Sequence, residues 1–190
     1  MQTSKNHFEA VTQYDDDTIR RMFRTEYYVY ETARRVLRLG IACAALVLAI
    51  FTSIPEVAKI LCLLVGTWLI VSQDFPSKVQ AEGVIAQRGG QTSTVKCRLN
   101  EAGVEVENGL KIPYKKIDRL VEDEAYFYLF QDKQTAVMLP REGLTPANPD
   151  RFKAFVAKKS GKEWETVGKS FLTMNLWDLV GMLRRTRKKK

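Results

Sequence analysis

The sequence predicts an α+β membrane protein: a two-helix transmembrane hairpin, then a small antiparallel β domain closed by a helix. Three observations point there. Two apolar runs, Gly40 to Phe51 and Ile60 to Val71, flank a short breaker that contains Pro55. Beyond about residue 91 the pattern changes to alternation with a period of two, the mark of half-buried strands. Finally, Asn148-Pro149 opens a helix whose Phe152, Phe155 and Val156 line one face.

Residues 1–35 form the approach. Phe8, Ala10, Thr12 and Tyr14 alternate with polar neighbours and predict a short strand. Asp15, Asp16 and Asp17 then supply a cap and favourable charge at a helix start; no further ligands are spaced to make them a metal site. From about Thr18 the chain reads as an amphipathic helix. Ile19, Met22, Phe23, Tyr27 and Tyr30 recur on one face, and Tyr27, Tyr28 and Tyr30 mix with Arg20, Arg21 and Arg24. Such a helix suits a lipid interface. It suits packing on the cytoplasmic domain equally well.

Residues 36–73 make the hairpin, with helices at about 37–54 and 56–72. Each uninterrupted apolar run is shorter than the about 20 residues a spanning helix needs. The flanks extend them. Val36 to Ile54 is broken only by Arg38, and Ile54 to Ser72 only by Glu56 and Lys59. Arg38 and Lys59 lie close enough to helix ends to snorkel to head groups. Both runs are apolar all round, whereas a surface helix of a soluble protein would show a polar face. The alternative that length allows is a soluble core hairpin. Thr52 or Ser53 can cap the second helix, and Pro55 suits its first turn. Ala42, Ala45 and Ala49 form a small-residue stripe that permits close helix approach. Trp68 suits a membrane interface. Arg20, Arg21, Arg24, Arg34, Arg35 and Arg38 precede the hairpin, and Lys78 and Arg88 follow it. The positive-inside rule therefore predicts a multi-pass protein of the cell membrane with both termini in the cytoplasm.

Residues 74–90 read as a connector helix beginning near Pro76 and ended by Gly89-Gly90. Residues 91–161 carry the β pattern. Val95, Cys97 and Leu99 alternate with Thr94, Lys96 and Arg98, and Val104 and Val106 with Glu105 and Glu107. Asn108-Gly109 marks a tight turn before Leu110, Ile112 and Tyr114. Ile117 to Glu122 reads as a strand. Ala125 to Phe130 and Thr135 to Leu139 form a hairpin around Gln131-Asp132-Lys133-Gln134. Gly161 ends the last helix, whose apolar stripe must cover one face or end of the sheet.

Residues 162–190 read as an amphipathic helix and a polybasic tail. Phe171, Leu172, Leu176, Leu179, Val180 and Leu183 share a face, with Trp177 and Met174 nearby. Arg184, Arg185, Arg187, Lys188, Lys189 and Lys190 follow. An apolar helix with Trp and a basic run can lie on anionic lipid, or the helix can pack on the domain beneath a disordered tail. The candidate lipid contacts are thus Arg38, Lys59, Trp68, Trp177 and the six tail cations.

The net charge of +8 suits anionic lipid head groups at the cytoplasmic face. It comes with no nucleic-acid motif. No catalytic constellation is present, so neither an enzyme, a cofactor nor a metal is expected. His7 is the only histidine. Cys43, Cys62 and Cys97 have the wrong spacing for zinc, and Cys97 falls at an inward strand position. Gly161-Lys162 lacks the glycine pattern of a phosphate loop. Glu122, Asp123 and Glu124 read as a charged hairpin turn. The polar first residues predict no cleavable signal.

A family resemblance rests on Ile112-Pro-Tyr-Lys-Lys-Ile-Asp-Arg-Leu-Val-Glu-Asp, Tyr126-Phe-Tyr-Leu-Phe, Ala136-Val-Met-Leu-Pro-Arg and Arg151-Phe152. From roughly Val95 to Phe155 the sequence resembles the YcxB-like family of bacterial membrane proteins, whose hairpin layout the chain also shares. The resemblance implies a pleckstrin-homology-like domain, a curved sheet or small barrel closed by a C-terminal helix, at the bacterial inner membrane. It carries over no catalytic residue. The expected function is a membrane-anchored, cytoplasmic-facing module that binds a protein partner or anionic lipid head groups. The alternative is an accessory subunit or enzyme whose site a partner or oligomer completes.

Overall fold

A computed structural model describes residues 7–107 and 109–167. In chain order the elements are β1 (Phe8–Tyr14), α1 (Asp16–Tyr30), α2 (Thr32–Phe51), α3 (Glu56–Val71), α4 (Phe75–Arg88), β2 (Ser93–Leu99), β3 (Val104–Val106) and β4 (Lys111–Ile112). A 3-10 turn (Tyr114–Lys116), β5 (Arg119–Glu122), β6 (Tyr126–Phe130), β7 (Ala136–Pro140), α5 (Pro149–Ser160) and β8 (Trp164–Thr166) follow. Among the described residues they make two compact units: a β unit of residues 7–22 and 85–167, and a helical unit of residues 23–84.

The β unit holds two four-stranded sheets, ordered β1-β2-β3-β4 and β7-β6-β5-β8. The predicted alternation sets the register. Cys97 and Leu99 are buried in β2, opposite Ala10 and Phe8 of β1. The first strand, which the sequence sets apart with the approach helix, is thus an edge of the domain's first sheet. Its other edge meets the second sheet: the Thr12 hydroxyl donates to the Met138 carbonyl at 2.6 Å, and Glu9 and Thr145 exchange two backbone bonds of 2.8 Å. The expectation of a purely antiparallel domain ending near residue 161 needs correction. β8 pairs with β5 in parallel, with Leu120 opposite Trp164. Three residues of that kind carry too weak an alternation to be read as a strand.

The closing helix is built as expected. The Asn148 side chain accepts from the Arg151 N–H at 2.9 Å, Pro149 follows at the first turn, and Gly161 ends the helix at φ 69°. Phe152 and Val156 reach the core shared by the two sheets. The Phe152 ring stands edge-on to Phe8 at 5.4 Å and lies 4.9 Å from Phe127. Ring pairs in these arrangements stabilise beyond what their buried area alone contributes.

In the helical unit, α2 and α3 pack as an antiparallel hairpin. Ala42 and Ala49 are buried on α2, as is Gly66 on α3. A β-carbon on Gly66 would lie 2.9 Å from Leu46 Cγ and 3.2 Å from the Ala42 carbonyl oxygen. The small-residue stripe is therefore the contact seam. The turn differs from expectation. The Thr52 hydroxyl bonds back to the Leu48 carbonyl, closing α2 rather than starting α3. Pro55 is the N-cap of α3, one position earlier than expected, and no side chain caps that helix. α4 starts at Phe75, where the Ser77 hydroxyl meets the Asp74 carbonyl at 2.9 Å.

Candidate functional site

The outer surface of the hairpin is apolar. Leu37, Ile50 and Phe51 on α2 are 65%, 66% and 78% exposed, and Val57, Leu64 and Trp68 on α3 are 71%, 63% and 65% exposed. Ile41, Val47, Leu48, Ile60, Leu61 and Val65 continue the surface between them. Soluble monomers rarely expose contiguous apolar patches beyond a few hundred Å². No single described helix is long and apolar enough to cross a membrane. The pair α3 and α4, bent by 48°, meets the length and composition together.

A charged network lies where the two hairpin helices meet the rest of the helical unit. The Tyr28 hydroxyl of α1 donates to Asp74 Oδ1 at 2.7 Å. Arg24 Nε stands 3.9 Å from Asp74 Oδ2. The Arg35 guanidinium of α2 lies 3.8 Å from the centre of the Tyr28 ring. Tyr28, Arg35 and Asp74 are all buried. Burial, helped by the Asp74 carboxylate, pushes the Tyr28 hydroxyl up to about 12. The network ties α1, α2 and the α3–α4 junction together just outside the apolar runs. Among the candidate lipid contacts, Arg38 donates to the Tyr27 hydroxyl at 3.2 Å, and Lys59 pairs with Glu56 at 3.3 Å. Trp68 faces outward. Trp177, Arg184, Arg185, Arg187, Lys188, Lys189 and Lys190 lie outside the described residues, as does the segment expected to form the C-terminal helix. The apolar residues of α1 do not face outward: Ile19, Tyr27, Tyr28 and Val29 are buried, and Met22, Phe23 and Tyr30 are partly so.

The β unit has its own polar centre, and the sequence did not reveal it. Glu122 is the last residue of β5, 6% exposed, not a residue of the turn. Its carboxylate pairs with Arg141, with Lys153 of α5 at 2.5 Å, and with the Thr166 hydroxyl of β8 at 3.3 Å. Arg141 also lies over the Phe127 ring at 4.7 Å. Burial raises the Glu122 carboxyl, but Lys153 and Arg141 more than offset this and hold it below its ordinary value. Asp123 does serve the turn, accepting from the Ala125 and Tyr126 N–H groups at 2.8 Å, and it pairs with Arg21 of α1 at 3.3 Å. Glu122 thus links the sheet, the closing helix and the last strand. Each of its oxygens is taken by a cation or hydroxyl of the fold, so the cluster ties these elements together. Cys97 is buried in the core, which pushes its thiol up to about 11 and away from nucleophile chemistry. Among the described residues, no group of three or more His, Cys, Asp or Glu side chains could hold a metal ion.

Residues 99–156 match the model of the YcxB-like protein family. The YcxB-like segment runs from the end of β2 into α5 and so contains Glu122, Arg141 and Lys153 together. β1, β8 and the hairpin lie outside the matched residues. No curated protein and no solved structure matches the chain.

Proposed function

We propose that the chain is a membrane-anchored module: the α2–α3 hairpin holds it in the inner membrane and the YcxB-like β unit engages a partner at the cytoplasmic face. The observation that carries this is the inverted hairpin. Its small residues face inward and its large apolar ones outward. That arrangement costs free energy in water and is favourable in lipid, where close backbone packing holds helices together. At about 1.5 Å per residue the 16 residues of α3 measure about 24 Å and the stretch of α2 beyond Arg38 less, so the hairpin is shorter than a bilayer core of about 30 Å and calls for snorkelling ends or local thinning of the bilayer. Arg34, Arg35 and Arg38 sit at the end of α2 where anionic head groups would lie, and both chain ends leave the hairpin on that side. The two sheets closed by α5 support a pleckstrin-homology-like reading of the β unit. In that reading the unit recognises an anionic or protein surface and carries out no reaction.

Extraction of native membranes with alkaline carbonate tests the anchor. The full chain is expected to stay in the pellet until detergent is added; release without detergent would refute the proposal. A reporter fused at the C-terminus is expected to behave as cytoplasmic.

A further inference from the structure

Most of the cations described in the β unit have a partner. Lys96 and Arg98 pair with Glu9, Lys111 with Glu105, Arg119 with Glu165, Lys159 with Glu101, and Arg141 and Lys153 with Glu122. Lys115, Lys116, Lys158 and Lys162 are different. All four are exposed and none has an ion-pair partner among the described residues. Lys115 and Lys116 sit on the 3-10 turn, Lys158 in the last turn of α5, and Lys162 just past the Gly161 cap of that helix.

Buried side chains fix these two elements against each other. Tyr114 stands edge-on to Phe155 of α5 at 5.8 Å and donates to the Asn100 carbonyl at 2.9 Å. Lys158 follows Phe155 by one helical turn, so it projects from the side of α5 nearest the 3-10 turn. The helix dipole favours Lys158 at a C-terminus but gives no reason for Lys115 and Lys116.

We propose that these four lysines form a docking face for an anionic lipid surface. The cations are all lysine, which acts as a point charge and does not offer the planar fork that grips one phosphate or carboxylate. A spread of point charges suits a diffuse negative surface. Single-stranded nucleic acid would call for exposed rings to stack on, but Tyr114 is buried and Phe155 partly so. The inference rests on the anchored reading for one thing, the tether that keeps the unit close to a bilayer and lets a weak patch act. Near a charged bilayer each lysine is worth about fivefold in affinity.

The test is lysine footprinting of the full chain in lipid nanodiscs, neutral or containing phosphatidylglycerol, with an amine-reactive ester and mass spectrometry. Labelling of Lys115, Lys116, Lys158 and Lys162 is expected to fall about threefold or more in the anionic discs and to recover in high salt, while Lys96 stays constant. Equal labelling in both discs would overturn the proposal and give the patch to an acidic macromolecule instead. If the chain fails to enter the discs, the anchor is refuted and the patch is tested alone by flotation with anionic vesicles. There, the wild type should bind at least about tenfold better than the variant with Lys115→Gln, Lys116→Gln, Lys158→Gln and Lys162→Gln. No difference between the two proteins would overturn the inference.

Discussion

The β unit keeps Phe8, Phe127, Phe152 and Leu139 inside and places ion pairs outside. The hairpin does the reverse, with Ala42, Ala49 and Gly66 inside and Leu37, Phe51, Leu64 and Trp68 outside. Both arrangements obey one rule, that apolar area is best hidden from water. They differ in what does the hiding. In the β unit it is the rest of the fold; for the hairpin it must be something other than the hairpin itself. Shape specificity also comes from different sources, interlocking aromatic rings in one and the absence of side chains in the other.

The contrast can be broken most strongly in the β core. Phe152→Ala leaves a cavity among Phe8, Phe127 and Trp164 and is expected to cost about 3–5 kcal/mol. Denaturant unfolding in detergent, followed by tryptophan fluorescence, checks this. Next comes the outer face of the hairpin. Leu64→Arg should cost about 3 kcal/mol of membrane insertion and move the chain out of the membrane fraction. On a hairpin facing water the same change would be neutral, because Leu64 is already 63% exposed.

Glu122→Gln is expected to destabilise the β unit by about 2 kcal/mol, below the usual cost of breaking a buried pair because Arg141 and Lys153 are partly solvated. Its pH dependence is specific. The folded Glu122 carboxyl is held below its ordinary value of 4.5. Its stabilisation is therefore complete above that pH and is lost as pH falls through the folded value. The gap between wild type and variant should close in acid. A gap independent of pH would mean that shape rather than charge is lost. The smallest effect belongs to the seam. Gly66→Val should cost roughly 1.5 kcal/mol by overpacking, whereas Gly40→Val, with nothing within 4 Å of the new carbon, should leave packing intact.

How much of this was legible in the sequence follows from how local each signal is. Strand alternation at Cys97 and Leu99, the Asn148-Pro149 start and Gly161 stop of α5, and the apolar helices around Pro55 depend on neighbouring residues, and all of them form. The Ala42–Ala49 stripe was legible too, because helical spacing alone puts those residues on one side. β8 was not, since its three residues become a strand only by pairing with β5 far back in the chain. Glu122, read both as the end of a strand and as a turn charge, is the end of the strand, and its partners were missed for the same reason. Beside Asp123 and Glu124 it resembles one more turn charge, and its role depends on Arg141 and Lys153, which only the fold brings near. The Tyr28–Asp74 bond likewise joins residues 46 apart. The unpaired lysines could be found only once the other cations had been matched to their partners.

The central claim, that lipid covers the outer face of the hairpin, can be tested at a native cysteine. Cys43 is exposed on α2, while Cys97 is buried in the β core and serves as the internal control. Washed membranes containing the full chain are treated with a membrane-impermeant maleimide, before and after unfolding in detergent. Lipid cover predicts that Cys43 stays unlabelled in intact membranes and reacts, together with Cys97, only after unfolding. Rapid labelling of Cys43 in intact membranes, with Cys97 still protected, would show the hairpin in water and contradict the account.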